Sequence, residues 1–164
     1  MELYDTMRTT FAARDYTGDA ISDAVLYRIL ENARFAPSGG NRQGNRVIVV
    51  RDKINRKRMS ELVVPAAKLY TAQGNAGEGP WNSISPTKVT AEEIEATPAP
   101  SRLTEPYTSS DVVLIVIVDL KVVASTDQHL DRIGVISGAS IYPFAWNILM
   151  AARHEGFGGT ITTL

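Results

Sequence analysis

Residues 26–43 read Leu26-Tyr27-Arg28-Ile29-Leu30-Glu31-Asn32-Ala33-Arg34-Phe35-Ala36-Pro37-Ser38-Gly39-Gly40-Asn41-Arg42-Gln43: a helical pattern, a stop and a polar turn. Val25, Ile29 and Ala33 form one stripe at helical spacing, widened by Leu26 and Leu30, as in a helix packed on a core. Ser22 is a good N-cap for this helix, which is expected to run to about Phe35. Pro37 and the two glycines end it. The glycines permit backbone with positive φ, and Ser38, Asn41, Arg42 and Gln43 crowd hydrogen-bonding groups beside them. Such a set suits the polar edge of a planar heterocycle or an anion, but by composition alone it suits an ordinary helix-to-strand turn better. The β-branched run Arg46-Val47-Ile48-Val49-Val50 that follows predicts a strand.

Upstream, Leu3, Met7 and Phe11 recur every four residues and predict a short helix, followed by a turn at Thr17-Gly18-Asp19. Downstream, Asp52 caps a helical stretch over about Lys53 to Tyr70 that breaks near Pro65. Between Thr71 and Ser110 lie three glycines and the prolines Pro80, Pro86, Pro98, Pro100 and Pro106. Apart from an acidic helical turn or two at Ala91–Ala96, the segment 71–110 is expected to be loop, a lid or a disordered stretch. Val112 to Val118 shows no polar alternation and predicts a central strand covered on both faces. The small and apolar residues of Val135 to Glu155 predict a buried helix with Pro143 near its start or kinking it, closed by Gly156-Phe157-Gly158-Gly159. Thr160 to Leu164 predicts the beginning of another strand. The class is α+β, a small mixed sheet surrounded by helices in a single domain over 1–164.

Composition narrows the chemistry. Of the 164 residues, 44% are apolar and 21% charged, an ordinary globular balance. The net charge of −1 gives no general attraction to nucleic acid. The chain has no cysteine, which removes thiolate nucleophiles, disulfides and cysteine-held metals. Its two histidines, His129 and His154, are read as surface residues, and no metal site is expected. No signal peptide is visible, and no apolar run approaches the roughly 20 residues that span a bilayer. A cytoplasmic location with no membrane partner is the expectation. Nothing resembles a Ser-His-Asp arrangement, a carboxylate pair or a Gly-Lys-Ser/Thr phosphate loop. Redox chemistry in a chain without thiols requires a borrowed electron carrier.

Besides the turn, three segments and two aromatic residues of the 71–110 stretch carry candidate groups. Arg8 and Arg14 can hold a phosphate through bidentate hydrogen bonds, as any surface arginine can. The glycines of Gly156–Gly159 allow either a close ligand approach or a plain helix cap. Tyr142, Phe144 and Trp146 flank small residues and suit core or subunit contacts. Trp81 and Tyr107 could face a substrate or anchor a loop on the core.

Taken in order, these segments resemble the nitroreductase family. The resemblance rests on Leu26–Gln43, which follows the family's leu-x-x-ile-leu-x-x-ala-arg-x-ala-pro-ser-x-x-asn-x-gln pattern, and on Asn147–Gly159, a small-residue helix ending in Gly-Phe-Gly-Gly. It implies a fold forming an intertwined homodimer with FMN at the subunit interface. Pro37, Ser38, Gly39 and Asn41 would lie along the isoalloxazine and ribityl chain, and Gly158 and Gly159 near the ring. Arg14 matches the basic residue closing the family's N-terminal motif. Thr10-Phe11-Ala12 stands where that motif often has Arg-Arg-Ser, leaving Arg8 as a further phosphate candidate. Relatives continue past the Gly-Phe-Gly-Gly strand to a phosphate-binding basic residue and a C-terminal arm, so the expectation is either that the chain is truncated at Leu164 or that it holds its cofactor less firmly than usual. The implied activity is ping-pong electron transfer from NAD(P)H through FMN to an electron-poor small molecule such as a nitroaromatic or quinone. No side chain is nominated as catalytic. Flavin sequestration, dehalogenation and dehydrogenation are the alternatives within the same resemblance.

Overall fold

The computed structural model describes residues 1–164. In chain order the helices and strands are α1 (Leu3–Thr9), α2 (Asp23–Ala33), β1 (Asn45–Val50), α3 (Lys53–Leu62), α4 (Val64–Asn75), α5 (Ala91–Ala96), α6 (Ser101–Thr104), α7 (Pro106–Ser109), β2 (Val113–Val118) and α8 (Tyr142–His154). Short 3-10 turns occupy Gly39–Asn41, Leu120–Val122 and Ile136–Ser140. No helix is long and apolar enough to cross a membrane. The chain divides into two compact units, one built from Met1–Ala13, Asp19–Val49 and Leu114–Ile161, the other from Arg14–Gly18, Val50–Val113 and Thr162–Leu164.

The first unit is organised around α2 and α8, which pack on each other. Ser22 starts α2 as expected, its hydroxyl accepting from the Val25 N–H at 3.3 Å. The apolar stripe then buries Leu26, Ile29 and Ala33, while α8 buries Phe144 and Ile148. Each large side chain so removed from water contributes about 1.5–3 kcal/mol. Pro143 sits in the first turn of α8, where its missing N–H costs no helical hydrogen bond. At the other end, the Arg28 guanidinium meets the Glu155 carboxylate at 2.7 Å, which holds that carboxyl below its usual range.

β1 and β2 form a two-stranded sheet. The Asp119 N–H, just after β2, donates to the Gly44 carbonyl, just before β1, so the strands run antiparallel. The parallel element is a single bridge, Ala12 with Gly159. Two expectations change here. β2 is half-buried with Ile117 exposed, because a two-stranded ladder offers too little cover to enclose both faces. Thr160 to Leu164 does not form a strand; the bridge of Ala12 with Gly159 stops just short of it.

In the second unit Asp52 caps α3 by accepting from the Asn55 N–H at 2.8 Å, and Pro65 falls in the first turn of α4. The α3 residue Arg56 is buried and donates to the carbonyls of Thr108 and Ser110, and Ser60 donates to the Thr104 carbonyl at 2.9 Å. Segment 71–110 carries more helix than its prolines suggest. α4 continues to Asn75, α5 is closed by a capping box between Thr90 and Glu93, and Pro100 and Pro106 open α6 and α7. The irregular part is tied down as well: Glu78 accepts from the Thr87 hydroxyl and the Lys88 N–H, which lowers its pKa. Tyr107 is buried, with its phenol pushed up by that burial, whereas Trp81 is 48% exposed and leans on Tyr70 at a centroid distance of 6.1 Å.

Candidate functional site

The turn after α2 is built by its own polar side chains. Arg34 caps the helix, Ala36 is buried, and Ser38 turns the chain with extended backbone. The Ser38 carbonyl accepts from the Asn41 N–H at 2.8 Å, and the Ser38 hydroxyl accepts from the Gln43 N–H at 3.0 Å. Gly40 adopts φ 62°, which glycine tolerates freely. Asn41 at φ 51° and Gln43 at φ 48° share that left-handed region. Asparagine enters it readily, but for glutamine it costs about 1–2 kcal/mol. Such strain persists only where surrounding bonds hold it, and here the Gln43 amide also donates to Asn41 Oδ1 at 3.1 Å.

Ser140, at the end of the 3-10 turn before α8, braces this turn from outside. Its hydroxyl accepts from the Gly39 N–H at 3.0 Å, and its carbonyl accepts from Asn45 Nδ2 at 3.1 Å. The 3-10 turn is itself anchored by Asp127, whose buried carboxylate accepts from the Val135 N–H at 2.7 Å, the Arg132 guanidinium at 2.9 Å and the Ile136 N–H at 3.3 Å. These bonds, the Val135 amide foremost, hold the Asp127 carboxyl down at about 2.

Between the turn and α8 opens a cavity of about 140 Å³. Ser38, Gln43, Asn45, Arg34 and Arg46 provide its polar wall, Ala36 and Phe144 its apolar wall, and no carboxylate lines it. Arg46 spends one nitrogen on the Gln43 and Asn45 carbonyls, and Arg34 spends Nε on Glu31, so both guanidiniums keep further donors. Asn45 Oδ1 is buried and has no hydrogen-bond partner. Small-molecule sites usually enclose about 300–1,000 Å³, so this cavity is too small for a whole cofactor and has room for no more than one edge of a ring system.

The expected site residues distribute unevenly. Ser38 lines the cavity, with Pro37, Gly39 and Asn41 beside it in the turn, although the Gly39 N–H is committed to Ser140 and Asn41 is exposed. Gly158 and Gly159 border a separate gap of about 10 Å³ with Thr10, Phe11, Leu149, Arg153 and Phe157, barely the room of one water. Both glycines have packing reasons: a Cβ would lie 3.0 Å from Ala13 Cβ at Gly158 and 2.8 Å from Leu149 Cδ2 at Gly159. Arg8 lines neither opening and lies over the Tyr4 ring at 5.9 Å. Arg14 belongs to the second unit, where its charge offsets part of the pKa rise that burial gives Tyr16. Asn45, Ser140 and Arg46 escape the sequence reading. Only Asn45 leaves a trace, as an amide opening a β-branched strand.

The profile described as "Nitroreductase family" matches residues 7–164. The chain belongs to the nitroreductase family. Three solved structures share the fold. A protein assigned as a nitroreductase from Desulfovibrio desulfuricans, in complex with FMN, is 19% identical to this family member, with a TM-score of 0.63 over 96% of this chain and 66% of that one. Iodotyrosine deiodinase bound to FMN and 3-iodo-L-tyrosine is 17% identical, with a TM-score of 0.63 over 96% and 72%. An FMN-dependent nitroreductase from Clostridium difficile R20291 is 20% identical, with a TM-score of 0.57 over 96% and 58%. The chain thus spans roughly two thirds of the length of these proteins, and as little as 58% of the last. No curated protein matches the sequence.

Proposed function

We propose that this nitroreductase-family chain binds FMN at the 38–46 turn and passes electrons from NAD(P)H to an electron-poor small molecule, by alternating reduction and reoxidation. The observation that carries the reading is the cavity beside the left-handed turn, with donors on Arg34 and Arg46 and an unpartnered acceptor at Asn45 Oδ1. These groups fit the pyrimidine edge of an isoalloxazine, which presents carbonyl acceptors and an imide N–H. They fit that edge alone. The rest of a flavin requires further surface, and the first unit exposes Phe35, Ile48, Val49, Ile117 and Leu120, large apolar side chains that suit a second copy of the chain. A homodimer with FMN between its subunits follows from this reading, as does a cytoplasmic location, where NAD(P)H is available.

Bound FMN supplies the hydride and electron chemistry. The chain's share is to bind and orient. Arg34 and Arg46 place positive charge beside the cavity, where negative charge on a reduced ring edge is favoured. Phe144 and Ala36 offer apolar contact to the ring, and Ser140 keeps the turn in place through Gly39.

The experiment is a titration of the purified chain with FMN, followed by flavin fluorescence and absorption, then anaerobic addition of NADH and NADPH. Quenched flavin fluorescence and loss of the oxidised flavin band on adding the nucleotide are expected. FMN spectra unchanged by excess protein would sink the binding reading. Bound flavin that neither nucleotide reduces would replace the reductase with a flavin-holding protein.

A further inference from the structure

Asn45 opens β1 and is half-buried. Its Nδ2 donates to the Ser140 carbonyl at 3.1 Å, which fixes the amide plane and leaves Oδ1 on the other side. That oxygen is buried and unpartnered, although the residue lines the 140 Å³ cavity. A buried acceptor without a donor is an energetic debit that native interiors rarely leave standing. A ligand N–H that reaches it removes the debit. The Arg34 and Arg46 side chains flanking the cavity are exposed, so their ends can move aside for an entering edge. The same cavity thus carries one acceptor and the donors of two guanidiniums. The complement of that pattern is a cyclic imide, in which one N–H stands between two carbonyls.

Asn41 is the asparagine that the family resemblance would assign to the cofactor, but its place differs. It is exposed, and its Oδ1 already accepts from Gln43 Nε2 at 3.1 Å. Ser140, by contrast, grips the turn and the Asn45 amide at once, so the acceptor is held against the same frame that shapes the site. We propose that Asn45 Oδ1, oriented by Ser140 and not replaced by Asn41, receives the imide N–H of the bound flavin. The proposal rests on the FMN reading and assigns a specificity-determining residue to that site: flavins and other planar cyclic imides are selected through N3–H.

The test compares FMN with FMN methylated at N3, which keeps the ring and phosphate but lacks that N–H. Each is titrated into the full chain and into Asn45→Ala and Asn41→Ala, with dissociation constants taken from flavin fluorescence and folding checked by circular dichroism. The unsubstituted chain is expected to bind FMN at least about tenfold more tightly than the methylated form, a difference of about 1.4 kcal/mol. Asn45→Ala should reduce that ratio to near one, whereas Asn41→Ala should preserve it. Equal binding of the two flavins by the unsubstituted chain overturns the proposal while leaving the FMN reading intact, and this arm needs no variant to fold. A ratio that survives Asn45→Ala overturns it as well. Binding of neither flavin overturns both.

Discussion

Gly158→Ala separates a glycine kept for packing from one kept for a ligand. The backbone of this segment is pinned, because Ala12 bridges Gly159 and the Ala13 N–H donates to the Gly159 carbonyl at 3.0 Å. The new methyl would lie 3.0 Å from Ala13 Cβ, well inside the roughly 3.5–4.0 Å of a relaxed carbon–carbon contact. Ala13 has no rotamer with which to retreat, and it is buried. Gly158 lies outside the left-handed region, so the substitution meets no conformational penalty of its own. The cost is therefore overpacking, about 1–3 kcal/mol. For a chain of this size each kcal/mol lowers Tm by about 2–4 °C. Ala13→Gly alone forfeits a buried methyl, about 0.8 kcal/mol, and adds about 0.5–1 kcal/mol of backbone entropy. Were the two sites independent, the double variant would lose the sum. Because the clash needs both methyls, the double variant should match Ala13→Gly alone, giving a coupling of at least about 1 kcal/mol. Thermal unfolding of the four proteins without flavin, followed by circular dichroism, measures it. Additive losses refute the packing account. An unchanged Tm in Gly158→Ala with weakened FMN binding would show that the glycine serves the ligand instead.

Two further outcomes test the frame of the site. Gln43→Gly and Gln43→Ala both lose the bond to Asn41, so they differ by the backbone alone: the glycine variant should have the slightly higher Tm, since relief of about 1–2 kcal/mol of left-handed strain exceeds the roughly 0.5–1 kcal/mol of added chain entropy; the opposite order would show that residue 43 is not strained. Asp127, held at about 2 in the folded chain against an ordinary 3.8, contributes stability that is fully present above about pH 4 and lost as pH falls through about 2. Tm of Asp127→Asn should therefore lie below that of the unsubstituted chain at pH 7, with the gap closing between pH 4 and 2; a constant gap across that window contradicts the anchoring role.

The parts of the fold legible in the sequence are those set by neighbours in the chain. Ser22 and Asp52 announced α2 and α3 because an N-cap needs only a side chain and an amide three residues on. The stripe of α2 was equally plain. Prolines are ambiguous signals: in segment 71–110 they suggest helix breakers, yet Pro100 stands at the cap of α6 and Pro106 in the first turn of α7, positions where proline starts a helix. Thr90-Ala91-Glu92-Glu93 carried a capping-box signature that would have located α5 firmly. Strands were harder, because a run such as Val112 to Val118 states its apolarity but not how many neighbours will cover it.

At the site the same division holds, with a chemical consequence. The polar turn could be read from Pro37–Gln43, and its left-handed residues follow from Gly40 and Asn41. What gives the turn a defined shape arrives from 101 residues away, through Ser140, and the acceptor that faces no partner is tethered across 95 residues. No local pattern encodes such a pairing. Arg8 has a ring contact in this chain, and Gly158 and Gly159 sit in close packing, so none of the three points to a ligand by its surroundings alone. The weight of the flavin reading therefore shifts from a list of motif positions to one braced amide. A turn made only of glycine, serine and asparagine can relax around whatever it meets, whereas an acceptor clamped on one side and unpaired on the other has a fixed requirement. That requirement is a donor, and it is the feature by which this cavity can discriminate between ligands of the same size and charge.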